Sequence, residues 1–158
     1  MARFTDALNR SMEDIKRPPP LPIGHYIMAV TKIPDAPEDL QSAKGSYEKM
    51  TINCTTVSAS DDVDPDELAE YGNPAGVPLR LDFIFNTDPN EEAKFEGTLN
   101  RLKEFMSKCG IDVETPGTSL GERLTELAGC QFLGEVKQRA DPNDPNVIYN
   151  EIGRTTAA

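Results

Sequence analysis

The chain has 158 residues, of which 37% are hydrophobic, and a formal net charge of −11. That length supports one domain around one core. No apolar run approaches the roughly 20 residues of a membrane-spanning helix, and the first residues lack the apolar segment of a secretory signal, so the expectation is a soluble, cytoplasmic protein with no membrane partner.

The segment FTDALNRSMEDIK places Phe4, Leu8, Met12 and Ile15 at spacings of four, four and three, with Thr5 as a candidate N-cap. This predicts an amphipathic helical arm over residues 1–17. So short a helix is marginal alone in water, so it must pack on its own body or dock on a partner, a second copy included. RPPPLP follows, and its prolines at 18, 19, 20 and 22 forbid helix, which makes residues 18–22 a stiff spacer between arm and body.

The body, residues 23–153, opens on HYIMAVTKI, which alternates with Tyr26, Met28 and Val30 on one face. PDAPEDLQSAKGS then reads as a polar loop. In the strand YEKMTINCTTVSAS, Met50, Ile52 and Cys54 oppose Lys49, Thr51 and Asn53. An acidic insertion spans 61–76, with one helical turn expected at DELAEY and a stop at Gly72 and Pro74. Residues 61–100 carry two basic and eleven acidic side chains, so most of the net charge sits there and the remainder is nearly neutral.

VPLRLDFIFN is the clearest strand, with Leu79, Leu81, Phe83 and Phe85 facing the core and Arg80, Asp82 and Ile84 facing out. A helix follows over residues 87–111, capped by Thr87 or Asp88, striped by Phe95, Leu99, Leu102, Phe105 and Met106, and closed at Lys108 and Gly110. A second short helix opens on Thr118 or Ser119 and ends at Gly129. CQFLGEVKQR puts Phe132 and Val136 opposite Lys137 and Arg139, and the turn ADPNDPN leads into a last strand, VIYNEI, and a short tail over 154–158. The expected fold is mainly β with inserted helices: a five-stranded OB-like Greek-key barrel with a helix between strands three and four and an N-terminal helical arm.

Motifs for catalysis are missing. DDVDPDE has the first spacings of an EF-hand loop, but Glu67 stands where a glycine turn is required and Asn73 where a bidentate glutamate is required. There is no GxxxxGK, HExxH or GxSxG, and no CxxC. Cys54, Cys109 and Cys130 read as small core residues of a reducing compartment, and His25, the sole histidine, as a turn or strand residue. No enzymatic activity, metal or cofactor is expected.

A binding surface fits better. Single strands are held by aromatic platforms flanked by cations that track the phosphates. Tyr26, Tyr47 and Tyr149 lie on strands, with Lys32, Lys44, Lys49, Arg80, Lys137, Arg139 and Arg154 on or beside them. Each is equally an ordinary core tyrosine or solubilising charge.

In segment order, LPIGHYIMAV, SAKGSYEKMTINC, LRLDFIFN with LNRLKEFMSKCGI, LTELAGCQFLGEV and NVIYNEI, the chain resembles small phage-encoded single-stranded-DNA-binding proteins with an OB fold. The resemblance covers roughly residues 21–152. It implies sequence-tolerant, non-catalytic binding of single-stranded DNA in phage replication or recombination, in the host cytoplasm, beside other replication or recombination proteins. It also implies a binding surface at Tyr26, Lys32, Tyr47, Lys49, Arg80, Lys137, Arg139 and Tyr149. The chain departs from many such binders in having its acidic run inside the sequence, not at the end, and in having no tryptophan. The alternative is a protein-interaction or virion component that uses the arm and the acidic surface; an acidic mimic of DNA that occupies a basic groove is a further alternative.

Overall fold

A computed structural model describes residues 3–15 and 17–158. The fold is mainly β, a six-stranded antiparallel sheet with a few helices. The strands are β1 (Gly24–Lys32), β2 (Glu38–Ser42), β3 (Gly45–Ala59), β4 (Pro78–Asn86), β5 (Gln131–Asp141) and β6 (Asp144–Thr156). The helices are α1 (Arg3–Ala7), α2 (Pro65–Tyr71), α3 (Glu92–Lys108) and α4 (Leu120–Leu124).

The 15-residue strand β3 organises the sheet. Its first half pairs with β2 on one edge and β4 on the other, and its second half pairs with β1. β1 pairs in turn with β5, and β5 with β6, so β4 and β6 end the two sides of the sheet. These two strands approach one another with no hydrogen-bonded ladder between them among the described residues. α3 packs across both.

The inward rows follow the alternation: Ile52 and Cys54 on β3, Phe83 and Phe85 on β4, Phe132 and Val136 on β5, and on β1, whose two faces are both apolar in sequence, Tyr26, Met28 and Val30. α3 adds Leu102, Phe105 and Met106. Phe105 sits edge-on to Phe132 with ring centroids 5.0 Å apart and tilts against Phe83 at 5.9 Å, an arrangement the ring quadrupoles favour. Thr98 is also buried, because its hydroxyl donates to the Ile84 carbonyl at 3.0 Å and so needs no water. Cys54 and Cys109 are buried, and burial pushes both thiols up to about 12; Cys130 is half-buried.

Four expectations are corrected. There are six strands, not five: EDLQS, read as loop, is β2, with Leu40 as its one apolar residue, and it exists because β3 offers it a hydrogen-bonding edge through the tight turn at Ala43 and Lys44. The arm is not one helix. α1 stops at Ala7, Ser11 is extended, and only a single 3₁₀ turn follows at Met12–Asp14. Among the described residues nothing covers its apolar stripe, and Phe4, Leu8, Met12 and Ile15 are 78%, 66%, 82% and 54% exposed; without tertiary burial so short a helix does not propagate. Met1, Ala2 and Lys16, which the expected arm includes, lie outside the described residues. The β5–β6 turn is only Pro142 and Asn143, and the expected tail is strand through Thr156, where Thr155 and Thr156 pair with Gly134 and Leu133. Tyr26, expected on the binding surface, is the fourth: its side chain belongs to the core.

The acidic insertion is capped from within and tied to β1. Asp64 caps α2 by accepting from the backbone N–H of Asp66 and Glu67. Asp62 accepts from the His25 backbone N–H at 3.1 Å and lies 2.6 Å from the His25 ring nitrogen Nδ1. These hydrogen bonds hold the Asp62 carboxyl below the usual carboxylate range. Val63, between them in sequence, packs into the core directly against Gly24.

Candidate nucleic-acid interface

The spacer does not swing free. Leu21 is buried, and Asn150 of β6 clamps its backbone at both ends: Asn150 Oδ1 accepts from the Leu21 N–H at 2.8 Å, and Asn150 Nδ2 donates to the Leu21 carbonyl at 2.9 Å. Gln138 of β5, directly opposite Asn150 in the ladder, donates to the same carbonyl at 3.0 Å. The buried hydroxyl of Tyr26 donates to the Pro22 carbonyl at 2.7 Å. The chain before β1 is therefore tied along the β5–β6 hairpin, which fixes where Arg17 can reach.

Beside this tie, β3, β4, β5 and β6 border a cleft of about 510 Å³ where β4 and β6 approach. Its charged and aromatic lining is Arg80, Asp82, Arg139, Tyr149 and Glu151. Asn53 and Asn150 add amides, and no residue of 61–76 contributes. The ladder explains the grouping: Arg139 sits opposite Tyr149, and Arg80 opposite Asn53, which is itself opposite Lys32. One outward row thus runs Lys32, Asn53, Arg80 across three strands and meets Arg139 and Tyr149 over the seam.

Each cation here has a carboxylate neighbour at long range. Arg80 Nε is 4.0 Å from Asp82, which also accepts from the Thr51 hydroxyl, and Arg139 Nε is 3.4 Å from Glu151. Both arginines are well exposed, so these pairs are weak and exchangeable. The Tyr149 hydroxyl donates to Asp141 at 3.1 Å, and Asp141 is held below the usual carboxylate range first by the Asn143 backbone N–H and then by that hydroxyl. The Tyr149 side chain is thereby held at the surface, 39% of the residue exposed, with the Arg17 guanidinium carbon over its ring 5.4 Å from the centroid.

Of the eight expected residues, three meet in the cleft: Arg80, Arg139 and Tyr149. Lys32 extends their row. Tyr47 and Lys49 stand further along β3, where Lys49 is 3.7 Å from Glu38 of β2. Lys137 is one step along the outer face from Arg139, 3.5 Å from Glu135. Tyr26 is the correction: it is fully buried, burial first among the causes that push its hydroxyl up to about 12, and it serves the core and the spacer and offers no surface for stacking.

Sequence reasoning missed Arg17, Asn53, Gln138 and Asn150. A signal existed for two of them: Gln138 and Asn150 occupy inward positions of otherwise apolar rows, opposite each other between Val136–Ile152 and Ala140–Ile148. Polar side chains at such positions imply a backbone partner. Among the described residues no group of histidine, cysteine or carboxylate side chains could hold a metal ion, and no helix is long and apolar enough to cross a membrane.

No protein-family model matches the chain, and no curated protein matches it.

Proposed function

We propose that the chain binds single-stranded DNA, without catalysis and with little sequence preference, along the outer face of β3 and β4 and into the β4–β6 cleft. The observation that carries this reading is the convergence of Arg80, Arg139 and Tyr149 from three separate strands on one cleft. Guanidinium groups and an accessible aromatic face are what phosphates and unstacked bases require. The strand order supports it. If β2 is taken as an extension at the β1–β3 connection, the pairings of β1 with β3 and β5, of β3 with β4, and of β5 with β6, with α3 between β4 and β5, are those of an OB-like barrel whose last seam is open. In such barrels oligonucleotides lie on the face of the second and third strands between two flanking loops, which here are the β2–β3 turn with Lys44 and the β5–β6 turn.

The overall charge of −11 opposes long-range attraction of a polyanion. Binding is therefore local, made by phosphates that replace Asp82 and Glu151 as partners of the two arginines. The setting that fits is phage replication or recombination, where exposed single strands need cover and where other replication or recombination proteins would be neighbours. Charge reversal at Arg80 and Arg139 tests the reading. The double variant, shown to be folded, should lose binding to a labelled single strand, and its salt slope should shallow by about 0.7 for each phosphate the variant no longer neutralises. Unchanged affinity and slope would refute it.

A second reading has its own observation. The exposed stripe of Phe4, Leu8, Met12 and Ile15 is the kind of surface a protein partner covers, whether a virion component or a second copy. Deleting residues 1–15 should abolish that association and leave the body folded.

A further inference from the structure

We propose that Arg17, delivered by the proline spacer, is a stacking residue of the nucleic-acid site: a base laid on Tyr149 is sandwiched beneath the Arg17 guanidinium. The inference rests on the single-strand reading of the cleft and adds to it a residue from outside the barrel.

Arg17 is within cation–π range of a ring that lines the cleft. Its position is built, not incidental. Four residues on, the Leu21 backbone donates one hydrogen bond to Asn150 and accepts one each from Asn150 and Gln138, and Asn150 is the immediate chain neighbour of Tyr149. Between Arg17 and Leu21 stand three consecutive prolines with restricted backbone angles. The strap that carries the guanidinium is thus fastened beside the ring it covers, through a linker that loses little entropy when the geometry is kept.

Charge points the same way. The cleft's own arginines each face a carboxylate, Asp82 for Arg80 and Glu151 for Arg139, whereas Arg17 has no carboxylate within 4.0 Å among the described residues. Asp141 approaches the platform only through the Tyr149 hydroxyl. A planar guanidinium stacks on a base face as well as on a tyrosine, which a compact ammonium does not do. An entering base takes the place of Arg17 on the ring, and Arg17 moves to the outer face of the base, so that one cation–π pair is exchanged for two stacked faces.

The test is a titration of a labelled, mixed-sequence single-stranded oligonucleotide, and of the same oligonucleotide with abasic positions, by wild type, Arg17→Ala, Arg17→Lys and Arg139→Ala. Arg17 is exposed and outside the core, so its variants fold; circular dichroism checks this. The expected result is an affinity loss of about tenfold for Arg17→Ala on the intact strand, little recovery by Arg17→Lys, and a much smaller loss on the abasic strand. Full recovery by Arg17→Lys, or an equal loss on the abasic strand, would make Arg17 a phosphate ligand and overturn the sandwich. Unchanged or tighter binding by Arg17→Ala while Arg139→Ala weakens it would overturn the inference and leave the cleft reading standing. Absence of binding by folded wild type would overturn both.

Discussion

Asn150→Ala is the sharpest test of how the chain before β1 is held. The substitution removes two hydrogen bonds to Leu21 and leaves its N–H, beside a buried side chain, with no acceptor; the Leu21 carbonyl keeps Gln138. An orphaned buried donor costs about 1–3 kcal/mol and the missing carbonyl bond about 0.5–1 kcal/mol more, so a loss of about 1.5–4 kcal/mol is expected. For a domain of this size that lowers the melting temperature by about 3–16 °C. Asn150→Asp sharpens the test, because it retains the acceptor for the N–H but sets a carboxylate oxygen against the Leu21 carbonyl. It should be at least as destabilising at neutral pH and recover part of the loss in acid, as the carboxyl protonates and can donate. Thermal melts and urea titrations followed by circular dichroism measure both. A melting temperature for Asn150→Ala within about 1 °C of wild type, at unchanged denaturant slope, would refute the tie between spacer and hairpin.

Three further outcomes are expected. Asp82→Asn and Glu151→Gln remove carboxylates that compete with phosphate for Arg80 and Arg139, so each should tighten single-strand binding about two- to fivefold in an anisotropy titration at low salt; weaker binding would contradict the exchange of partners. At Gly24→Ala the new Cβ would lie 2.6 Å from Val63 Cγ2 on a backbone with φ of +139°, so stability measured in urea should fall by about 2–3 kcal/mol, and a loss under about 0.5 kcal/mol would show that Val63 does not pack there. Because folding lowers the Asp62 pKa, its contribution is complete above the ordinary aspartate range and is lost as pH falls through the lowered value. The stability gap between wild type and Asp62→Asn should therefore be constant near neutrality and close in acid; a gap that widened in acid would reverse the assignment.

How far the fold was legible follows from what each segment needed. β1, β3, β4 and β5 bury one face each, so their period of two predicted the strands and which side chains share a face, but on β1, apolar on both faces, it did not tell that the Tyr26 face is the inward one. Periodicity could not reveal β2, because four of its five residues are exposed and polar and its existence depends on an edge of β3 some residues away. The arm failed the opposite way: its helical spacing was real, but spacing confers stability only when a surface covers the stripe, and among the described residues none does.

The site was legible as residue types and illegible as geometry. Arg80, Arg139 and Tyr149 are far apart in sequence, and only the ladder and the seam bring them together. Tyr26 and Tyr149 look alike in sequence, each a tyrosine in an apolar run, yet one faces the core and the other solvent. Alternation separates them once Asn150 is seen to point inward toward Leu21, which turns Tyr149 out.

The measurement that bears most directly on the central claim is a titration of the purified chain against a fluorescently labelled mixed-sequence single strand, with its duplex as control, at low and moderate salt. Micromolar or tighter binding that weakens with salt, spares the duplex and is abolished by charge reversal at Arg80 and Arg139 is the predicted result. A folded protein that leaves the single strand free at low salt would contradict the claim and turn the search to protein partners of the exposed arm.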